Sequence, residues 1–400
     1  MKRHPAPRKR VIPRAQRSVR IKKKPKVVSK SLSSLRQLFK KKTEAVHGPL
    51  LRKFVGNPIL QPNPSREWES RATFNPAALY LGGKTHLLYR AIGDSDVSVF
   101  GYASSTDGVH IDEQLDEPAY VPREPFEGVR KEADQPVSSG GQKPYVVYSS
   151  GGGTSGGCED PRLTRIDDQI YMLYVAFDGW SPPRVALTSI LVDDFLAHRW
   201  NWKKPVLISP PGQIHKNWVL FPEKIDGKFA ILHSICPEVS VSYFDSLDFD
   251  GSTHIQSAYS GKGRQTCWDN WMRGVGAPPI RTREGWLVLY HAMDVNDPGK
   301  YKLGAMILDV NDPSKIIYRS NEPILEPQEW YENEGWKWGV IYTCGAAVIK
   351  GRLFVYYGAA DAVIAVATAE LDQFVAELKR TGTPKLLPSA RISLKKQRRG

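Results

Sequence analysis

Apolar and polar positions alternate along this chain in short runs, and five segments share one form. Each is an apolar run, a Gly- or Asp-containing turn, and a strand rich in Tyr, Leu and Val. The first runs Asn75-Pro76-Ala77-Ala78-Leu79-Tyr80, turns at Gly82-Gly83 and continues His86-Leu87-Leu88-Tyr89-Arg90. The second joins residues 161–166 through Asp167-Asp168 to 170–174. The third joins 221–225 through Asp226-Gly227 to 229–233. The fourth joins 277–282 through Glu284-Gly285 to 286–291, and the fifth joins 344–349 through Lys350-Gly351 to 353–357. Further strands are predicted at 99–104, 184–188, 302–306 and 363–367, and one short helix over 371–380.

This repetition, at a spacing slightly above that of common propellers, leaves room for four strands per unit. A two-sheet sandwich would also supply many strands, but not five similar hairpins. The pattern predicts an all-β fold, a five-bladed β-propeller over residues 56–385 with no separate second domain. Residues 1–55 read as a basic, flexible N-terminal tail and 386–400 as a basic C-terminal one.

Charge changes this picture only at the ends. The formal net charge is +14, yet residues 1–53 hold 19 Lys and Arg against the single acid Glu44. The remaining 37 Lys and Arg face 41 Asp and Glu, so the body is mildly acidic. The tail is suited to an anionic surface, nucleic acid or membrane, or acts as a solubilising segment. No stretch reaches eighteen apolar residues, so no membrane span is expected. The N-terminal charges precede no apolar region, so no secretory signal is expected. Cys158, Cys236, Cys267 and Cys344 are scattered, which disfavours a zinc or redox site and suggests free thiols in the cytoplasm. A homo-oligomer is compatible with all of this.

Propeller sites lie at one end of the channel, where the innermost strands begin. That rule selects Asn75, Glu159-Asp160, residues 216–221, 273–276 and 342–345, and also Arg90, His233, His291 and Asp361. Within Cys158-Glu159-Asp160-Pro161-Arg162, Pro161 should restrict Asp160 to extended angles and so fix its carboxyl. The glycine-rich stretch 151–157 lets the chain turn before it. A carboxyl held at a channel mouth suits a general acid; the alternative is a turn cap or a pair with Arg162. Gly151, Gly153 and Gly156 satisfy G-x-G-x-x-G, but no strand–helix context supports nucleotide binding. Arg184, Arg199, Lys216 and His233 form a basic group that could hold phosphate.

The chain resembles glycoside hydrolase family 130, the β-mannoside phosphorylases and β-mannosidases. The likeness spans roughly residues 55–370. It is carried by Phe74-Asn75-Pro76-Ala77, Leu88-Tyr89-Arg90-Ala91, Ser105-Thr106-Asp107-Gly108, Glu159-Asp160-Pro161-Arg162, Leu220-Phe221-Pro222-Glu223-Lys224-Ile225, residues 285–291 and Tyr356-Tyr357-Gly358-Ala359-Ala360-Asp361. The resemblance implies a five-bladed propeller and inverting cleavage of a β-mannosidic bond. Asp160 would be the acid, its proton passing through the sugar's 3-hydroxyl. Inorganic phosphate would attack the anomeric carbon to give α-mannose 1-phosphate, with no cofactor or metal. Arg184, Lys216, His233 and, less closely, Arg199 match phosphate ligands. Asn75, Arg90, Asp107 and Asp361 match residues that grip the mannose, and Glu159, Arg162 and His291 would support them. Two positions depart from the phosphorylase pattern: Ser234-Ile235 follows His233, and Asn217-Trp218 follows Lys216. They keep open hydrolysis by water, with Glu223 or Glu238 as base, and a third reading as a non-catalytic sugar-binding propeller or an enzyme of shifted linkage.

Overall fold

The computed structural model describes residues 51–129, 156–258 and 261–383. Residues 151–155 of the glycine-rich stretch and most of both basic tails lie outside them. Five antiparallel groups follow a two-residue strand, β1 (Arg52–Lys53). The first is β2 (Ala72–Leu81), β3 (Lys84–Ile92), β4 (Ser98–Ser105) and β5 (Glu113–Gln114). The second is β6 (Gly157–Ile166), β7 (Gln169–Phe177), β8 (Arg184–Leu191) and β9 (Val206–Leu207). The third is β10 (Val219–Leu220), β11 (Phe229–Ile235) and β12 (Val239–Phe244). The fourth is β13 (Trp271–Val275), β14 (Ile280–Thr282), β15 (Gly285–Asp294), β16 (Asp297–Leu308) and β17 (Ile316–Arg319). The fifth is β18 (Ile341–Ile349), β19 (Arg352–Ala359) and β20 (Val363–Glu370), which β1 completes by pairing with β20. The expected helix is present as Leu371–Thr381. Among the described residues, no helix is long and apolar enough to cross a membrane.

All five hairpins form, but two opening strands are shorter than their apolar runs suggest. In the third group β10 ends at Leu220, before Pro222. In the fourth, Pro278 and Pro279 separate β13 from β14. Proline has no N–H to give a ladder, so an apolar run containing it need not be a strand. The first two groups share one sheet through a single parallel pairing of Ser98 with Gly157. A Cβ on Gly157 would sit 2.3 Å from the Ser98 carbonyl oxygen, so this join requires glycine.

The apolar core lies between groups. Leu88 and Phe100 cluster with Leu163 and Met172, and Leu173 and Leu187 with Leu220 and Ile231. Leu232 clusters with Val288 and Met306, Leu289 and Leu303 with Val355 and Tyr357, and Ile349 and Tyr356 with Ala78 and Leu87. Each group therefore packs on the next, and the fifth on the first. A buried Leu, Ile or Val in such a cluster stabilises by about 1.5–3 kcal/mol.

In four of the five groups the hairpin tyrosine has a further role. Its hydroxyl donates to a fully buried acid from the segment before the group's opening strand: Tyr89 to Glu69 (2.7 Å), Tyr174 to Glu127, Tyr290 to Asp269 (2.8 Å) and Tyr357 to Glu332 (2.9 Å). The third group has His233 at this place, bonded to Ser257 Oγ and Ser242 Oγ at 2.9 and 3.0 Å. Glu332 also holds Lys53 of β1, with Nζ 2.6 Å from Oε2, and Leu51 is completely buried. The folded body thus begins by residue 51, earlier than the boundary at 56 expected from charge.

Candidate active site

The opening strands β2 and β6 carry the same irregularity. Pairing with the next strand skips Asn75-Pro76 in β2 and Asp160-Pro161 in β6. A proline at a bulge costs no ladder bond, and the extra residue re-aims its neighbour's side chain. Asn75 and Asp160 adopt φ of 48° and 54°. Asp160 is therefore left-handed and not extended, as Pro161 alone would suggest. Such a conformation costs about 1–3 kcal/mol and persists only where its surroundings over-determine it. Here Asn75 Nδ2 donates to Asp160 Oδ1 (2.8 Å), and Arg162 Nη1 donates to the Asp160 carbonyl oxygen (2.8 Å). Gly358 makes room for Asn75, since a Cβ there would lie 2.2 Å from Asn75 Oδ1.

Buried charges surround the Asp160 carboxyl. Arg90 Nη2 donates to Glu159 Oε1 (2.9 Å), and its Nη1 lies 3.6 Å from Asp160 Oδ1. Lys216 Nζ lies 3.5 Å from Glu159 Oε2. Burial pushes the Asp160 pKa up, but Arg90, Arg162, Lys216 and the Asn75 hydrogen bond outweigh it and hold it below the usual carboxylate range. Arg162 is anchored across the site, donating to the Gly276 carbonyl oxygen (2.9 Å) and to Asn217 Oδ1 (2.8 Å). Asn217 also accepts from the Tyr342 hydroxyl and donates to the Arg273 carbonyl oxygen (2.6 Å). The His291 ring stacks on Tyr342 at 4.0 Å and 11°, and the Thr343 N–H donates to its Nε2. Burial pushes its pKa down to about 3, so it is a neutral wedge. Cys158 is structural; burial and Glu127 push its thiol up.

A cavity of about 350 Å³ opens over these groups. Of the residues and segments singled out from sequence, Asn75, Asp160, Lys216, Asn217, Trp218, His233, Arg273, Gly274, Val275, Tyr342 and Asp361 line it. Arg90, Glu159, Arg162 and His291 are buried behind it. Three residues stand elsewhere. Asp107 is in an exposed turn, bonded to His110 Nδ1 (2.7 Å). Arg199 is exposed beside the short helix Val192–Leu196 and pairs with Asp194 (2.8 Å). Arg184 does not line the cavity; its guanidinium donates to the Ser209 carbonyl oxygen and meets His254 Nε2 at 3.0 Å. Glu223 and Glu238, the bases considered for hydrolysis, are exposed and line no part of the cavity. Among the described residues, the lining carboxyls are those of Asp160 and Asp361. Burial, ahead of Lys337 and Arg90, sets the Asp361 pKa, which rises to about 6. His215 and His233, pushed down to about 4 by burial, line the cavity as neutral rings. Sequence reasoning missed Lys337, Tyr301 and Ser257. Lys337 lies in a connection without a repeat signal, and Tyr301 immediately precedes a predicted strand.

Residues 50–380 match the glycoside hydrolase 130 family, described as beta-1,4-mannooligosaccharide phosphorylase. A 1,2-beta-oligomannan phosphorylase of Thermoanaerobacter sp. (strain X514) is 36% identical, over 80% of this chain and 97% of its own. A beta-1,2-mannobiose phosphorylase from the same strain is 34% identical, over 81% and 98%. The solved beta-1,2-mannobiose phosphorylase of Listeria innocua, in complex with beta-1,2-mannobiose, shares the fold with a TM-score of 0.61. Its identity is 22%, over 82% of this chain and 99% of that one. On this family match and these relatives, the chain belongs to glycoside hydrolase family 130.

Proposed function

We propose that this protein cleaves β-mannosides by inverting phosphorolysis, releasing α-mannose 1-phosphate, on a five-bladed propeller. The propeller reading rests on five groups in cyclic contact, with β1 completing the fifth. The observation that carries the chemistry is the cavity's charge pattern. A buried carboxyl, Asp160, is held on a bulge among Lys216, Arg273 and Lys337, with Asp361 as the other lining acid. A cavity with this cationic excess attracts an anionic nucleophile. Phosphate is already an anion and needs no general base, so the exposed positions of Glu223 and Glu238 weigh against hydrolysis.

In the free protein Asp160 is ionised. Phosphate adds negative charge beside it, and the sugar excludes water; both raise its pKa toward that of a working acid. Asn75 fixes its Oδ1, and Arg90 and Arg162 hold the bulge and the adjoining strand. Phosphate attacks the anomeric carbon from the face opposite the leaving sugar, so a β-bond becomes an α-phosphate. The reaction requires no cofactor beyond inorganic phosphate. The names of the two relatives that match nearly full length favour a β-1,2 linkage. Four free cysteines fit a reducing compartment, consistent with a cytoplasmic enzyme. Asp160→Asn tests the reading: turnover of β-1,2-mannobiose with phosphate should fall at least 100-fold while sugar binding persists. Unchanged turnover would remove Asp160 from the mechanism.

A further inference from the structure

Two exposed tryptophans stand at the mouth of the cavity. Trp336 and Trp338 are 40% and 65% exposed. They flank Lys337, which lines the cavity where Asp361 and the Tyr301 ring face it. Their segment bridges the fourth and fifth groups. The Lys337 N–H donates to the Ala360 carbonyl oxygen (3.0 Å), and the Tyr301 N–H donates to that of Gly339 (2.8 Å). The Trp338 ring packs against Gly299, and Lys300 beside it pairs with Asp297 (3.2 Å). The Arg71 guanidinium lies 4.6 Å from the centre of the Trp336 ring and pairs with Asp96. Asp96 lies just beyond Ile92, which pairs with Ala72 at the same end of β2 as Asn75. Both rings therefore belong to the end of the strands that carries the site. Large rings left in water at the edge of a cavity mark a binding surface. A flat apolar ring edged by ion-paired charges suits a sugar, which has C–H faces and a hydroxyl edge. The cavity, about 350 Å³, is at the small end for a ligand site, so a long chain must leave it across the rim.

We propose that Trp336 and Trp338 form a stacking rim for mannosyl units beyond the first two, so that the enzyme favours oligosaccharides over the disaccharide. This rests on the phosphorolytic reading above, in which the bond is cleaved at Asp160 and the rest of the chain points to the mouth. The test uses the full chain with Trp336→Ala, Trp338→Ala, Trp338→Phe and the off-cavity control Arg199→Gln. For each, kcat/KM is measured with phosphate on β-1,2-mannobiose and β-1,2-mannotriose. The parent should favour the triose by about tenfold, the effect of one well-stacked ring. Each alanine variant should lower that ratio by about threefold or more. Trp338→Phe should recover part of the loss, and Arg199→Gln should keep the parent's ratio. Because the readout is a ratio, a general loss of folded enzyme cancels from it. Calorimetric affinities for the two sugars, measured on Asp160→Asn with and without each tryptophan change, repeat the comparison without turnover. A parent ratio near one, or a ratio unchanged in both alanine variants, would overturn the rim. Cleavage that proceeds equally without phosphate would overturn the underlying reading instead, and the same ratio would then test the rim on hydrolysis.

Discussion

Asp160 is held by its neighbours as much as by its own backbone. Because Asn75, Arg90 and Arg162 each touch it or the bulge around it, removing any one disturbs a buried charge. Arg90→Met leaves Glu159 buried without that partner and should lower stability by about 3 kcal/mol, seen as a shift in the denaturant midpoint. An unchanged midpoint would mean that Lys216 alone satisfies Glu159. At this scale part of the site was legible from the ends of the hairpin motifs: Asn75, Asp160 and Asp361 all reach the cavity. It was not legible for Arg184, Arg199 and Asp107, because linear position does not say which way a side chain leaves its strand or turn. Lys337 was missed for the converse reason, since nothing in a connection marks it as facing inward.

Among elements, the hairpins were readable because Tyr, Leu and Val runs alternate with turn residues. The four tyrosine–acid pairs were not, because each acid lies outside the repeated hairpin, 20 to 47 residues before its tyrosine in sequence. In four groups they tie the segment entering the group to the middle of its hairpin. Tyr357→Phe removes one donor from buried Glu332 and should cost about 1–3 kcal/mol of unfolding free energy with kcat unchanged. The first strand gives a second prediction. A chain starting at residue 49 should fold and turn over normally. One starting at residue 54 loses Leu51, β1 and the Lys53–Glu332 ion pair, and should melt several degrees lower. Equal melting temperatures would mean that β1 adds nothing to the fifth group.

For the whole molecule, the buried histidines set a pH dependence. His215, His233 and His291 have pKa values pushed down to about 4, 4 and 3. Unfolded, each takes a proton near its ordinary value, so the unfolded chain binds more protons and stability falls as pH drops from about 6.5 toward 4. Asp361, raised to about 6, acts oppositely: the folded state holds its proton between about 4 and 6, and this offsets part of the loss. Three histidines outweigh one aspartate, so the melting temperature should be lower at pH 4.5 than at pH 7. His291→Asn should flatten the slope, and a slope the same as the parent's would contradict His291's place in it. The all-β class was legible at this scale from repetition, whereas the joining of two groups through Ser98 and Gly157 depends on one backbone pairing that no local pattern encodes.

In the proposed reaction phosphate, not water, is the nucleophile. The most direct test follows β-1,2-mannobiose cleavage by NMR with and without inorganic phosphate, reading the phosphorus signal and the anomeric configuration of the first product. The expected result is α-mannose 1-phosphate with phosphate present and negligible cleavage without it. Free mannose released at the same rate in phosphate-free buffer would contradict it.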